Sequence, residues 1–441
     1  MKLSHVDIQK LFWKTALILL IIGVWFGVLA SSKYLNVSIL GLNLGMISLR
    51  PLHVTAITMW ILAGVISCVF SFLFSATKFE FSTLMAFLQW VLFVIAIGGI
   101  FTSYFSENFG GREYWEFPPV WAFPLISSWI LFVFNFYKSI FKVDKWPVYL
   151  WMWFTGGLFF LVTFMENYLW VFPFIREQYL VDTTIQWKSN GSLVGSWNQL
   201  IYGTAFYLMD KIKGDSGSST SKSAYYLYFL GLFNLMFNWG HHIYSLPTHN
   251  IVKTIGYLVS MTEWVFLIKI LYNWKKSIDI AMNHSHYLPF KFLMAADFWI
   301  FINLIQALFM SIPAINLFTH GTHVTVAHAM GTTIGINSMI LLAGCCEFIS
   351  SGIAFTKSSL KRMSYYFWTI QISLVVFVLS LNTAGIYKAI WQYNNANESF
   401  AELSLIINPW IMLFACSGTI LALGLSGLAL MMICQINSLR R

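Results

Sequence analysis

Long apolar stretches separated by short polar ones run through the chain from end to end. Each apolar stretch is about 20 residues, the length at which a helix crosses a hydrocarbon core of ~30 Å. Twelve such runs are present, near 12–31, 54–77, 83–103, 120–140, 147–172, 192–209, 225–246, 253–273, 293–312, 322–350, 363–388 and 407–435. The pattern predicts an all-α integral membrane protein, a bundle of twelve transmembrane helices forming one domain over residues 1–441. The first run is too long for a signal peptide and has no small-residue cleavage site after it, so it reads as a retained helix.

Composition agrees: 58% of residues are hydrophobic and 10% charged, where a soluble domain is about a quarter charged. The cations are unevenly distributed. One side collects clusters such as Lys138, Lys142 and Lys145, Lys211 and Lys213, Lys275 and Lys276, and Lys361 and Arg362. The other has only Lys33, Arg50, Arg112, Arg176, Lys188, Lys253 and Lys388. Because Lys and Arg accumulate in loops that stay in the cytoplasm, both termini are expected to be cytoplasmic, with the helices among membrane lipids. The net charge of +9 is explained by this asymmetry and calls for no nucleic-acid partner. The segment 214–221, rich in Gly and Ser, reads as a flexible cytoplasmic loop. Cys68, Cys345, Cys346, Cys416 and Cys434 form no C-x-x-C, which excludes attached haem c and the usual zinc or iron–sulfur spacings; apolar packing is expected for all of them.

Depth then sorts the histidines. His53 opens the second run, His241 and His242 close the seventh, and His320, His323 and His328 lead into the tenth, so six of ten gather in the outer leaflet. His5, His249, His284 and His286 fall in the N-terminal segment or loops and are expected to be solvated. A lone intramembrane imidazole reads first as hydrogen-bonding glue between helices. An adjacent pair together with a second helix carrying three favours a haem or metal site, since neutral imidazole suits Fe, Cu or Zn. His328 and Met330 are two residues apart and project about 200° apart on a helix. They can therefore serve haems on opposite sides of it, His and Met both being competent axial ligands.

These segments resemble the catalytic subunit of nitric-oxide reductase, a branch of the haem–copper oxidase superfamily with a twelve-helix subunit I fold. The resemblance rests on Arg50-Pro51-Leu52-His53, on the outer-loop string from Gly110 to Pro118, on Gly240-His241-His242, on Glu263, and on the string from His320 to Ala329. It implies that His53 and Met330 are axial ligands of a low-spin haem b and His328 the proximal ligand of a high-spin haem b. His320, His323 and Arg112 belong to the same cofactor region. His241, His242 and Asn190 are implied as ligands of a non-haem iron or other transition metal, with Glu263 as ligand or proton donor. Glu113 and Glu116 match loop glutamates that serve a calcium ion or the proton entry. Electrons for the substrate, NO, are expected from the periplasmic side through a membrane-anchored donor subunit such as a cytochrome c, because this chain has no attached haem c and no copper-binding cysteine pair.

Two departures bear on the chemistry. Aligned on Trp197, Asn190 stands where the family has a third iron-ligand histidine, and Val194 where it has a glutamate one turn later. Met330 stands where the family has a low-spin haem histidine, and a thioether there raises the potential. The leading expectation is reductive coupling of NO to N2O. The loss of the histidine and the glutamate also resembles nitric-oxide dismutases, which convert NO to N2 and O2. A degenerate haem-bearing electron-transfer or sensing subunit, keeping haem without non-haem iron, is a further class. A haem-free transporter is a fourth, at odds with histidines gathered toward one face. Asp297, Glu347 and Lys269 read as isolated helix-end or interhelical groups rather than a proton channel.

Overall fold

The computed structural model describes residues 3–35, 44–260, 262, 264–277, 286–394 and 399–439. The elements follow in order as α1 (His5–Tyr34), α2 (Met46–Thr77), α3 (Thr83–Phe105), α4 (Ala122–Ile140), α5 (Val148–Glu166), a short α6 (Pro173–Arg176), α7 (Tyr179–Lys213) and α8 (Lys222–Phe237). A 3₁₀ turn, Asn238–Ile243, ends α8 and leads to α9 (Asn250–Ser260), α10 (Trp264–Ser277), α11 (Tyr287–Ser311) and α12 (Pro313–Thr319). The chain finishes with α13 (His323–Met330), a π-helical stretch Gly331–Ser338, α14 (Met339–Ser350), α15 (Lys357–Asn394) and α16 (Phe400–Ser438). Among the described residues the only extended pairing is an isolated bridge between Arg112 and Trp115.

Helix ends are set by local chemistry. Ser4 and Asp7 form a reciprocal capping box at α1, and Ser399 and Glu402 form another at α16, each satisfying N–H groups that the helix leaves unbonded. Single hydroxyl caps from Ser82, Ser221 and Thr322 start α3, α8 and α13.

Among the described residues, nine helical segments are long and apolar enough to cross a membrane. The three other apolar runs fall on α7, on α8 with its 3₁₀ turn, and on α9 with α10; they are helical but do not meet the same measure. α7 interrupts its apolar face with Lys188, Asn190, Asn198 and Gln199, while α8, α9 and α10 are 16, 11 and 14 residues long. Each of these is short of the about 20 residues a crossing needs.

Enclosure is graded across the bundle. The apolar windows of α2 and of His323–Ser350 are 83% buried, against 33% for α3 and α11, so the two central spans are those that carry His53, His328 and Met330. Lipid is as apolar as leucine, so helices associate by close packing rather than by hydrophobic transfer. The contacts accordingly run through small residues. A Cβ at Gly64 would come 2.9 Å from Leu341, one at Gly203 2.8 Å from Trp153, and one at Gly23 2.7 Å from Ile57. Trp60 Nε1 donates to Ser338 Oγ at 2.9 Å, tying α2 to the end of the π-helical stretch. Outside, side chains such as Phe123, Leu405, Ile372 and Phe229 are exposed, an apolar belt suited to acyl chains.

Three expectations are corrected. Cys68, Cys345 and Cys346 are buried, but Cys416 and Cys434 are exposed on α16. His286 is not solvated: its Nδ1 lies 2.8 Å from Oε2 of the buried Glu347. His5 Nε2 bonds the Phe81 carbonyl oxygen at 2.9 Å. Glu347 and Asp297 are interhelical as expected, Asp297 pairing with Lys275.

Gly385 of α15 is where that helix crosses the start of α13, and an added Cβ would overlap the Val324 amide nitrogen. Gly385→Ala is therefore expected to destabilise the protein by about 1–3 kcal/mol, the usual range for overpacking. A lowered unfolding temperature in detergent checks it; an unchanged one would show that the crossing is loose.

Candidate functional site

His53 faces α1. Gly27 leaves room for the imidazole, where an added Cβ would come 2.9 Å from its Nδ1, and Gly23, one turn earlier, lets α1 close onto Ile57. His53 Nδ1 lies 2.8 Å from the Gly23 carbonyl oxygen. A carbonyl only accepts, so Nδ1 carries the proton and the Nε2 lone pair is left free, the tautomer a metal ligand needs.

The histidine pair is held by a glycine contact. A Cβ at Gly256 of α9 would come 2.8 Å from the Gly240 Cα and 3.0 Å from the His241 amide nitrogen, so α9 closes directly onto the 3₁₀ turn. Ser260, one turn on, then reaches His241: its Oγ lies 3.3 Å from Nδ1, and also 2.6 Å from Asn238 Oδ1 and 2.7 Å from the Gly256 carbonyl oxygen. The single hydroxyl proton goes to one of those two oxygens, so Oγ accepts from His241 Nδ1–H and again leaves Nε2 free. The His242 ring stacks on Trp187 of α7 at 5.2 Å and 10°, and meets the His241 ring at 4.2 Å, tilted by 43°. The ring of Trp187 is also 6.4 Å from that of His320.

Trp187 thus joins the adjacent pair to His320, which leads into the helix that carries His328. His328 Nδ1 is buried without a hydrogen-bond partner, as is His323 Nδ1. A buried, orphaned imidazole nitrogen is a polar group lacking the partner that its burial demands. Together with two rings whose Nε2 is left free, this donor set fits haem iron and a second metal. Among the described residues no three His, Cys, Asp or Glu side chains form a metal cluster by themselves. Glu263 lies outside the described residues.

The remaining expected residues divide. Asn190 is buried on the same face of α7 as Trp187, and its Oδ1 accepts from Asn167 Nδ2 at 2.7 Å. Val194 follows on that face and is partly exposed. Met330 closes α13 partly buried against the core, and Asn303 Nδ2 holds the neighbouring His328 carbonyl at 3.1 Å.

Arg112 binds Asp182 at 2.6 Å and lies 4.8 Å over the Trp170 ring, fastening the outer loop to the start of α7. Glu113 and Glu116 are both taken by Arg50, at 2.7 and 3.1 Å. A calcium ion needs six or more oxygens, whereas here a guanidinium already stands between the two carboxylates, so this arrangement does not fit a calcium cage. The loop is closed by the amides of Gly110 and Gly111, which both donate to the Glu116 carbonyl oxygen. A Cβ at Gly111 would overlap the Trp115 carbonyl oxygen, so only glycine fits there. A cavity of about 290 Å³ beside the clamp is lined by Met46, Arg50, Phe109 and Glu116.

The family described as Cytochrome C and Quinol oxidase polypeptide I matches residues 7–432. The chain belongs to that family. It is 22% identical over 355 residues to cytochrome c oxidase subunit 1 of Rhodobacter capsulatus, covering 76% of this chain and 65% of that one, just under two thirds of its length. It is 22% identical over 421 residues to a nitric oxide reductase subunit from Stutzerimonas stutzeri, covering 89% of this chain and 86% of that protein. A heme-copper terminal oxidase dimer solved by cryo-EM shares the fold, with a TM-score of 0.79 at 16% identity over 99% of this chain and 84% of that one. Members of this haem–copper oxidase subunit I family are integral membrane proteins that bind haems and a metal.

Sequence reading passed over Asn167, Trp187 and Ser260, and the role of Arg50. Each acts on a site residue from a separate element, and only Trp187, three positions before Asn190, gave a local signal.

Burial pushes the Glu116 carboxyl above its ordinary range, and the Arg50 guanidinium pulls it back. Arg50→Gln is expected to move Glu116 further up, so that the protonated carboxyl persists to higher pH. The infrared carboxyl band followed against pH reads this; an unmoved midpoint would mean that Arg50 does not act on Glu116.

Proposed function

We propose that the chain couples two molecules of nitric oxide to nitrous oxide and water, consuming two electrons and two protons. The observation that supports it most is the chain of ring contacts that joins the adjacent pair His241 and His242 through Trp187 to His320, on the segment leading to His328. Similarity to the Stutzerimonas stutzeri nitric oxide reductase along most of both chains supports the same reading. In this reading the chain crosses the inner membrane of a bacterium twelve times with both termini in the cytoplasm, and a membrane-anchored donor such as a cytochrome c delivers electrons from the periplasmic side.

His53 and Met330 would hold a low-spin haem b, and His328 a high-spin haem b. His241, His242 and Glu263 would hold a non-haem iron. These groups, when bound, supply electrons and two adjacent irons to which NO binds. The protein supplies position: bringing two reactants together on fixed elements replaces a rare encounter with a first-order step. Gly23 fixes the His53 tautomer, Ser260 that of His241, and Trp187 the plane of His242. Asn303 fixes the backbone at His328.

Nitric-oxide dismutation to N2 and O2 is a second reading. Val194 favours it, since an aliphatic side chain there delivers no proton and dismutation has no net proton demand.

Mass spectrometry of the gases formed from isotopically labelled NO under anaerobic conditions separates the readings. Coupling predicts N2O only when an electron donor is present. N2 with O2 and no donor would replace it by dismutation, and neither gas would leave a haem-bearing electron-transfer or sensing subunit. His328→Ala is expected to abolish turnover and the high-spin haem spectrum while the fold remains; retained turnover would contradict its role. Met330→His is expected to lower the low-spin haem potential, and an unchanged redox titration would remove Met330 as a ligand.

A further inference from the structure

Asn190 stands one helical turn from Trp187, whose ring stacks at 5.2 Å on His242. The adjacent Gly191 packs on Trp239, where an added Cβ would come 2.8 Å from the Trp239 Cβ, so this stretch of α7 lies directly against the 3₁₀ turn bearing the histidine pair. On the reading that this turn borders the reacting centre, the Asn190 amide can offer a bound molecule either its oxygen or its NH2 group.

The oxygen is already engaged. Asn167 follows the last residue of α5, 4% exposed, and its backbone N–H bonds the Thr163 carbonyl oxygen at 3.0 Å. From that fixed position its side-chain Nδ2 donates to Asn190 Oδ1 at 2.7 Å. Asn167 Oδ1 is buried with no partner, so the two amides meet through a single bond in one direction. A carboxamide is planar with its two polar atoms on diverging branches. Turning Oδ1 toward Asn167 turns Nδ2 away from it, and no described acceptor meets Asn190 Nδ2. The donor is the end left over.

We propose that Asn190 is a hydrogen-bond donor to the small diatomic ligand held between the histidines rather than a metal ligand, and that Asn167 is the residue that positions it. This rests on the reading that His328, His241 and His242 surround the reacting centre. A neutral N–H beside that centre stabilises negative charge developing on a bound oxygen without itself giving up a proton. It also leaves the second metal with fewer protein ligands than an imidazole at this position would give.

The test uses the intact purified protein, reduced and exposed to carbon monoxide, with the C–O stretch read by infrared spectroscopy and the non-haem metal by elemental analysis. Asn190→Ala is expected to keep the metal content and shift the C–O stretch, because the donor is gone. Asn167→Asp is isosteric and, ionised, has no N–H to donate, so it accepts a hydrogen bond from Asn190 Nδ2 and turns the Asn190 oxygen toward the centre. It is expected to keep the metal and shift the stretch as Asn190→Ala does. Loss of metal in Asn190→Ala with an unshifted stretch would make Asn190 a ligand and overturn the proposal. An unshifted stretch in Asn167→Asp would overturn the positioning role. A wild type that forms no carbon monoxide adduct would overturn the haem reading first and this one with it.

Discussion

Gly240 and Gly256 meet with no side chain between them, and that contact determines where the histidine pair can be. With any larger residue at either position α9 would stand off from the 3₁₀ turn, Ser260 would no longer reach His241, and the His241 tautomer would be free. α7 takes up the opposite side through Gly191 and Trp187, so the two rings sit between two helices that approach as closely as backbone allows. Close approach through small residues is the ordinary means of helix association where lipid removes the hydrophobic drive. In this chain the same device orients ligand nitrogens: Gly23 and Gly27 do for His53 what Gly256 does for His241.

Much of the architecture was legible because lipid imposes it. A stretch that crosses a bilayer must be apolar along its length and helical throughout, so the apolar runs on α1 to α5 and α11 to α16 coincide with helices. The same rule hides the direction in which a side chain faces. An apolar residue suits lipid and core equally, and Cys416 and Cys434 face outward for that reason. α7 was only partly legible: its first turns, from Tyr179, are polar and carry Trp187 against His242 ahead of the apolar run that marked it.

The histidines themselves were visible as motifs, but what orients them was not. Asn167 and Asn190 are 23 residues apart, Arg50 and Glu113 63, and His286 and Glu347 61. Such pairings arise only when helices distant in sequence pack, and no local period announces them. The resemblance implied a calcium ion or the proton entry at Glu113 and Glu116, yet Arg50 stands between both. Arg50 and Glu113 are half exposed, and their pair contributes about 0–1 kcal/mol. Their larger effect is on shape, holding the loop beside the outer end of α2, three residues from His53.

Haem content of the purified protein tests the account most directly, read by optical spectroscopy of the reduced and oxidised states together with total iron. His53 and His241 with Nε2 left free and an orphaned His328 nitrogen, two of the three at the N-terminal ends of the two most enclosed spans, predict both low-spin and high-spin haem b signatures, with iron in excess of haem. Protein that is folded but free of haem would contradict the account, since its histidines would then be arranged for something other than iron.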